Sequence, residues 1–154
     1  MFREMRRKDR EIGNIEAIEI LKNCQYGILS TASEDGYAYG VPVNYVYANG
    51  SIYFHSASQG HKLDNIINNN KVSFCVVGQS SVLPDKFTTN YESVIVFGRA
   101  VEVLGNEKND AMLEMLKKYS KEYIKKGREY LKNANPKVKV IKINIEHISG
   151  KARR

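Results

Sequence analysis

Residues 38–47 alternate between two kinds of side chain, and a tight-turn signal stands on either side of them. Tyr39, Val41, Val43, Tyr45 and Tyr47 share one face of an extended chain, and Ala38, Gly40, Pro42, Asn44 and Val46 share the other. The flanking dipeptides Asp35-Gly36 and Asn49-Gly50 favour two-residue hairpin turns. The sequence therefore predicts a meander of three antiparallel strands, at residues 26–31, 38–47 and 51–56.

The rest of the chain reads as a mixture of strands and peripheral helices. Further strands are predicted at residues 71–77, 91–104 (bent near Gly98) and 138–148, and helices at about 14–23 (capped by Asn14), 59–68, 106–119 and 120–132. Residues 1–13 read as a charged arm and residues 78–90 as a loop. We predict a mainly β fold, a six-stranded antiparallel barrel with peripheral helices, as a single domain over residues 1–154.

Composition removes several classes of protein. Of the 154 residues, 42% are hydrophobic and 27% charged, which is typical of a folded domain and excludes a disordered chain. No apolar run approaches the roughly 20 residues that span a bilayer, and residues 1–10 are too charged for a signal peptide. A cytoplasmic protein is therefore expected, with Cys24 and Cys75 as reduced core thiols. No Cys/His cluster has zinc-site spacing, so no metal is expected.

The net charge of +7 allows two interpretations, a solvated basic surface or an anionic partner. Basic residues interleaved with tyrosines at 117–130 could form a nucleic-acid surface, but no nucleic-acid-binding motif accompanies them. A solvated helix face is favoured there, and nucleic acid is not expected as a partner. The cationic tail, residues 150–154, is either solvated or contacts an anion across a dimer interface.

Residues 53–63 carry the densest group of candidate binding side chains. The predicted strand ends in small polar residues, followed by Gly60, His61, Lys62 and a helix. A helix N-terminus offers free N–H donors and a partial positive charge, to which Ser56 and Lys62 could add a hydroxyl and a cation. This combination suits a phosphate. The alternative is an ordinary strand-to-helix turn, and the spacing matches no Walker loop or dinucleotide fingerprint.

Two further features allow a ligand. The face of Gly40, Pro42 and Asn44 is unusually small, so that either a flat ligand lies against this backbone or the barrel turns a corner there. His55 ends a predicted strand, where its ring could face a ligand, whereas His147 is expected in the core or an interface. No Ser/His/Asp arrangement or carboxylate pair points to hydrolysis.

A family resemblance joins these pieces. The pieces, in chain order, are Arg6 to Ile12, Gly40 to Tyr45, Tyr53 to Ala57 with Gly60 and Lys62, Tyr91 to Val94 with Gly98, and Gly150-Lys151. In this order they resemble the flavin-binding split-barrel proteins related to pyridoxamine 5′-phosphate oxidase, most closely their nitroimidazole-resistance branch.

The resemblance implies a dimeric six-stranded split barrel with two FMN molecules at the subunit interface. It implies that the flavin ring lies near Val41, Pro42, Val43 and Asn44, and that His55, Ser56, Ala57, His61 and Lys62 surround the phosphate. It further implies that the partner chain contributes residues, for which Ser93 and Lys151 are candidates, and that His55 lies beside the flavin as the candidate catalytic residue.

The resulting prediction is an FMN-dependent oxidoreductase that acts on a small molecule, with nitroaromatic reduction as the reaction of this branch. The alternative is a non-catalytic protein of the same fold that binds flavin, a deazaflavin or haem.

Overall fold

The computed structural model describes residues 1–154, which form one antiparallel sheet and four α-helices. The strands are β1 (Glu11–Ile12), β2 (Tyr26–Ala32), β3 (Ala38–Asn44), β4 (Val46–Ala48), β5 (Ser51–Ala57), β6 (Lys71–Leu83), β7 (Thr88–Val103) and β8 (Val138–Arg153). The helices are α1 (Asn14–Asn23), α2 (His61–Asn68), α3 (Gly105–Tyr119) and α4 (Ile124–Ala134). None of them is long and apolar enough to cross a membrane.

The sheet is curled so that its two ends meet. Its strand order is β3-β2-β6-β7-β8-β5-β4, with β1 added beside β8. The terminal strands β3 and β4 are separated in the chain only by Tyr45, so they follow one another end to end and join the two ends of the sheet. The predicted mainly β barrel is confirmed. The predicted six strands become eight because the 38–47 strand breaks at Tyr45 and because the charged arm contributes β1.

The barrel interior is filled by alternate side chains of its strands. On β3, residues 39, 41 and 43 are partly buried while their neighbours are exposed. Phe54 on β5 and Phe74 on β6 are fully buried, and Tyr45 packs edge-on against Phe74 with ring centroids 4.8 Å apart. Leu21 of α1 and Leu63 of α2 join the same core. Burial of these apolar faces is the main stabilising contribution to the fold.

A second, smaller core lies outside the barrel wall. Met112 and Met115 of α3 are buried against Tyr53 of β5 and Val140 of β8. This cluster fixes α3 on the outer side of β5, so that the helix faces the part of the wall that carries His55.

The predicted loop at residues 78–90 is wrong, because β6 and β7 continue through it as a long hairpin. Pairing runs from Ser80 opposite Tyr91 to Leu83 opposite Thr88. The tip holds Phe87, which has a φ of 52° and is almost fully exposed. A ribbon that stands away from the core has no buried face, so its residues need no hydrophobic alternation and periodicity cannot reveal it.

Strand β8 is also longer than predicted, since it runs through the cationic tail to Arg153. The charged arm is fixed to it: Ile12 pairs with Gly150, and Phe2 stacks on His147 with ring centroids 4.9 Å apart. The predicted bend at Gly98 is confirmed as a register shift in the β7–β8 pairing. A Cβ at Gly98 would lie 2.2 Å from the Asn144 carbonyl oxygen, so glycine is required there.

Two smaller expectations are corrected. Asn14 does not cap α1; Gly13 occupies the cap position and Asn14 is the first helical residue, with no side-chain capping bond. Both cysteines are free, as expected, but they are only partly buried. Cys75 points outward because its neighbours Phe74 and Val76 fill the interior side of β6.

Candidate functional site

The outer face of β3, β2, β6, β7 and β8 forms a row of apolar side chains. Pro42, Ile28, Cys75, Ile95 and Ser149 stand opposite one another in register across the five strands. Tyr26 and Val77 are about 60% exposed in the adjoining row, and Ile28, Ile95 and Phe97 about 40%. A continuous apolar surface of this kind usually marks an interaction site. We call the surface of Pro42, Ile28, Cys75, Ile95 and Val77 the apolar sheet face.

Four of the sequence-predicted site residues lie on or beside this face. Asn44 pairs with Tyr26, and Ser93 pairs with both Val77 and Lys151. Pro42 and Asn44 are exposed, and Ser93 and Lys151 are partly exposed. Since neighbouring strands are about 4.8 Å apart, the row from Pro42 to β8 spans roughly 19 Å.

Val41 and Val43 have the opposite orientation. Both side chains turn inward and pack against the barrel core. Their contribution to a ligand on the outer face is therefore limited to the backbone. That backbone is available, because β3 pairs only with β2 and half of its N–H and C=O groups point away from the sheet. Pro42, which has no N–H to donate to a neighbouring strand, lies on this edge strand.

The N-terminus of α2 combines free donors with an unpaired cation. Gly60 precedes the helix with a φ of 150°, and its carbonyl accepts from the N–H groups of Leu63 and Asp64. The N–H groups of His61 and Lys62 open the helix and have no earlier turn to bond. None of the ion pairs in the protein involves Lys62. This terminus can receive an anion.

His61 already has structural contacts. Its ring stacks on Tyr39 of β3 at a centroid distance of 4.0 Å, and its Nε2 lies 3.2 Å from Ser33 Oγ. The buried Asn65 strengthens the same connection by donating to Thr31 at 2.9 Å and to Ser33 at 3.0 Å. These contacts hold the start of α2 beside the start of β3. Sequence reasoning did not identify Asn65, because a single polar residue on a helix carries no positional signal.

The three candidate residues on strand β5 do not all face the same side of the sheet. His55 and Ala57 are exposed on the outer side, whereas Ser56 is buried and donates to the Ala57 carbonyl at 3.0 Å. The Ser56 hydroxyl is therefore directed inward, away from the surface that carries His55. The expected hydroxyl donor is not available there.

His55 and Asn44 meet at a cavity of about 250 Å³. The cavity lies between the barrel wall and the helices α3 and α4, and most of its lining is hydrophobic. Because Tyr39 contacts the α2 N-terminus and Asn44 borders the cavity, β3 connects the two places. The five residue steps from Tyr39 to Asn44 span roughly 17 Å of extended strand.

Ser93 and Lys151 form a separate cluster within one chain. Val140, the β8 partner of His55, lies eleven residues before Lys151, a path of roughly 36 Å along an extended strand. Lys151 Nζ lies 5.7 Å from the ring centroid of Tyr91, whose hydroxyl accepts from Arg10 at 3.5 Å. These cations lower the pKa of Tyr91. A single chain therefore does not bring Lys151 to His55.

The other tail cations are already paired. Arg154 bonds Glu16 and Glu92, and Arg153 bonds Asn90. Neither Lys151 nor Arg153 has a carboxylate partner, and Lys151 shares this with Lys62. No group of three or more His, Cys, Asp or Glu side chains is placed to hold a metal ion.

One pair of residues beside the cavity was missed by sequence reasoning. Lys118 donates to the carbonyls of Cys24 at 2.7 Å and Tyr45 at 2.9 Å, and Tyr119 bonds the backbone at Gln25 and Tyr45. Burial lowers the pKa of Lys118 to about 8. Both residues belong to the basic run that was interpreted as a solvated face, and nothing in that run distinguishes Lys118 from its exposed neighbours.

A sequence profile described as pyridoxamine 5′-phosphate oxidase matches residues 14–152, nearly the whole chain. The chain belongs to the pyridoxamine 5′-phosphate oxidase family. No match was found among curated protein sequences.

The chain is also similar in structure to several solved proteins. The chain is 21% identical to a candidate 5-nitroimidazole antibiotic resistance protein from Bacteroides thetaiotaomicron (TM-score 0.75, 92% of this chain and 86% of the other). It is 20% identical to a FAD-binding protein from Mycobacterium smegmatis (0.65, 94% and 99%) and 10% identical to a FAD- and haem-binding protein from the same organism (0.82, 94% and 74%). At such identities these similarities establish the shared split-barrel fold.

Proposed function

We propose that the protein is a flavin-dependent oxidoreductase that binds FMN along β3. The observation that carries this proposal is the course of β3 itself. The strand runs from an α2 N-terminus with an unpaired Lys62 to a cavity bordered by His55, and it exposes a small side-chain face and free backbone groups between them. A long molecule with an anion at one end and a flat ring at the other fits this arrangement.

The residues present fit each part of such a cofactor. Lys62 and the first N–H groups of α2 would hold the phosphate, since a helix N-terminus and an ammonium group both favour an anion. The small face at Pro42 and Asn44 would lie against the ring. Neighbouring proteins of this fold include FAD-binding proteins, which supports a flavin; FMN in particular rests on the family resemblance.

A second copy of the chain would complete the site. The apolar sheet face leaves large side chains partly exposed on the surface that carries Pro42 and Asn44. Lys151 cannot reach His55 within its own chain, but a partner's Lys151 could be placed beside it when two such faces meet. We therefore place FMN at the interface of a homodimer.

When bound, the flavin supplies the redox chemistry. Backbone N–H groups on the free edge of β3 stabilise negative charge that develops beside them. His55, exposed at the mouth of the cavity, donates a hydrogen bond or a proton to a small-molecule substrate. Similarity to the 5-nitroimidazole resistance protein makes a nitroaromatic group the first substrate to test.

Haem binding on the same fold is the second candidate function. It is favoured by His55, an exposed imidazole at the edge of an apolar cavity, and by similarity to a FAD- and haem-binding protein. Such a protein would use His55 as an iron ligand and not as a proton donor.

Absorption spectroscopy separates these functions. The purified protein, before and after addition of FMN, FAD or haemin, is passed through gel filtration and its visible spectrum is recorded. Flavin bands that travel with the protein support the proposal, and the better-retained flavin identifies the cofactor. A haem band alone transfers the function to haem binding, and the absence of any bound chromophore overturns both.

A further inference from the structure

The cavity beside His55 has a lining without ionic side chains. Its wall is made of Met112, Met115 and Leu116 from α3, Leu131 and Ala134 from α4, and Val138. The polar groups at its border are those of Asn44, His55, Tyr119, Ser120 and Tyr130, and no Lys, Arg, Asp or Glu is among the lining residues. Charged side chains are thus absent from the lining of this cavity, although the chain carries a net charge of +7.

The size of the cavity sets the size of an occupant. Ligand pockets for drug-sized molecules run from about 300 to 1,000 Å³, while an engineered apolar cavity of about 150 Å³ holds benzene. At about 250 Å³, this cavity has room for one substituted aromatic ring. A phosphorylated ligand would leave its charge without a partner there, at a large desolvation cost.

Helix α4 covers the cavity and contacts the second core only through Leu131. None of its residues is buried. It lies close to α3, where a Cβ on Gly127 would stand 2.2 Å from Leu116. Its C-terminal end is fastened by Lys108, which donates to the carbonyls of Asn135 at 2.8 Å and Val138 at 2.7 Å. A helix that is fastened at its end and only partly buried along one face can admit a ligand beneath it.

We propose that this cavity is a pocket for an uncharged single-ring aromatic molecule, with α4 as its cover, and that it rejects phosphorylated ligands. The inference rests on the proposed function in one respect: the pocket supplies substrate to a flavin bound beside Asn44 and His55. The family takes its name from pyridoxamine 5′-phosphate. Its oxidised form, pyridoxal 5′-phosphate, is then the wrong kind of ligand for this chain.

Methionine-methyl NMR tests the pocket independently of activity. The chain has four methionines, of which Met112 and Met115 line the cavity while Met1 and Met5 lie in the N-terminal arm and serve as internal controls. Benzyl alcohol, benzoate and pyridoxal 5′-phosphate are titrated into protein labelled at the methionine methyl groups, with and without FMN. We expect benzyl alcohol alone to shift the Met112 and Met115 signals saturably.

Two matched variants on α4 locate the binding. Ala134→Phe places a ring into the cavity and should weaken benzyl alcohol binding by at least about tenfold, because the added ring takes the volume of the ligand. Asn133→Phe adds the same ring to an exposed neighbour outside the lining and should leave the affinity unchanged. Circular dichroism verifies that both variants keep the helix content of the wild type, and Leu131→Phe repeats the test at a second lining position of α4.

The outcomes separate this inference from the proposed function. FMN binding without any response of Met112 and Met115 to benzyl alcohol overturns the pocket and leaves the flavoprotein standing. Shifts with benzyl alcohol in a protein that retains no flavin support the pocket and overturn the flavoprotein. Equal binding of benzoate or pyridoxal 5′-phosphate, or shifts of the same two methyl groups caused by FMN itself, overturns the pocket as proposed.

Discussion

The Tyr45 backbone N–H donates to the Tyr119 hydroxyl at 2.9 Å, across 74 residues of sequence. Tyr45 stands between β3 and β4, at the corner where the curled sheet closes, and it has no strand neighbour for this N–H. The Tyr119 hydroxyl also bonds the Gln25 carbonyl. One side chain of α3 thus holds both the barrel corner and the start of β2, and it borders the cavity next to Asn44.

Replacing Tyr119 with Phe tests this contact. The variant leaves the Tyr45 N–H without its acceptor, and an unsatisfied buried donor costs about 1–3 kcal/mol. We expect the free energy of unfolding, measured by urea denaturation, to fall by that amount. Tyr123→Phe removes an exposed hydroxyl that has no bond in the structure and should change it by less than about 0.5 kcal/mol. Equal effects of the two variants would contradict the role of Tyr119.

Lys62→Ala tests the anion site at the start of α2. Loss of a charge-assisted contact worth about 1.5–3 kcal/mol should weaken FMN binding roughly tenfold to a hundredfold, measured by quenching of flavin fluorescence. Riboflavin, which lacks the phosphate, should bind both proteins alike. Lys117→Ala is the control, because Lys117 is exposed and already paired with Glu114. Unchanged FMN affinity in Lys62→Ala would show that the phosphate is not bound at this site.

His55→Ala tests proton donation at the mouth of the cavity. A positioned acid contributes about 10²–10⁴-fold to a rate, so oxidation of the reduced bound flavin by 4-nitrobenzyl alcohol should slow within that range. The flavin should remain bound, since the other proposed contacts are intact. His147→Ala removes a histidine stacked on Phe2 and should leave the rate unchanged. A normal rate in His55→Ala would assign proton donation to another group.

Ile95→Glu tests the dimer and its cofactor together. Ile95 is 41% exposed at the centre of the apolar sheet face, and a carboxylate there would have to be buried between subunits at a high desolvation cost. We expect a monomer by analytical ultracentrifugation, with loss of bound flavin. Val101→Glu alters a residue of the same strand with 38% exposure, away from this face, and should remain dimeric. A wild-type monomer that binds FMN would refute the interface site.

Lys118 should make stability depend on pH. Burial lowers the folded-state pKa of Lys118 to about 8, from 10.5, so between these values the folded protein binds fewer protons than the unfolded chain. Lys118 should therefore contribute a rise in the free energy of unfolding between pH 8 and 10, which the burial-raised pKa values of Cys24 and Cys75 oppose above pH 9. Burial raises the pKa of Tyr45, a contribution that stays fully present up to its unfolded pKa of 10. In Lys118→Met, urea denaturation over this window should show a smaller rise; an identical rise would assign it to other groups.

The local pattern predicted those parts of the barrel that have one buried face. Strands β2 and β3 alternate between buried and more exposed residues, since side chains two residues apart on a strand share a face. Strand β5 is buried on both faces over residues 51–54, and the turn dipeptide Asn49-Gly50 marks where it begins. The α2 N-terminus was placed by the same kind of local signal. The same period separated Pro42 and Asn44 from Val41 and Val43, and the structure showed that the valines are the pair that faces inward.

The predictions that failed were those that depended on partners distant in the chain. The extension of β6 and β7 beyond Val77 lies on a ribbon without a buried face, so no hydrophobic period marks it. The inward turn of Lys118 depends on carbonyls at residues 24 and 45, and a basic run looks the same whether or not one of its members finds them.

The sequence by itself determined the strand periodicity, the turns and the chemical types at the candidate site. Only the tertiary structure decided that Ser56 is buried, that Lys151 lies far from His55, and that α3 and α4 enclose a cavity without charge beside β3 and β5. The physical reason is that periodicity records which face of one element is buried, whereas hydrogen bonds and cavities depend on distances between elements, which are fixed only when the sheet closes.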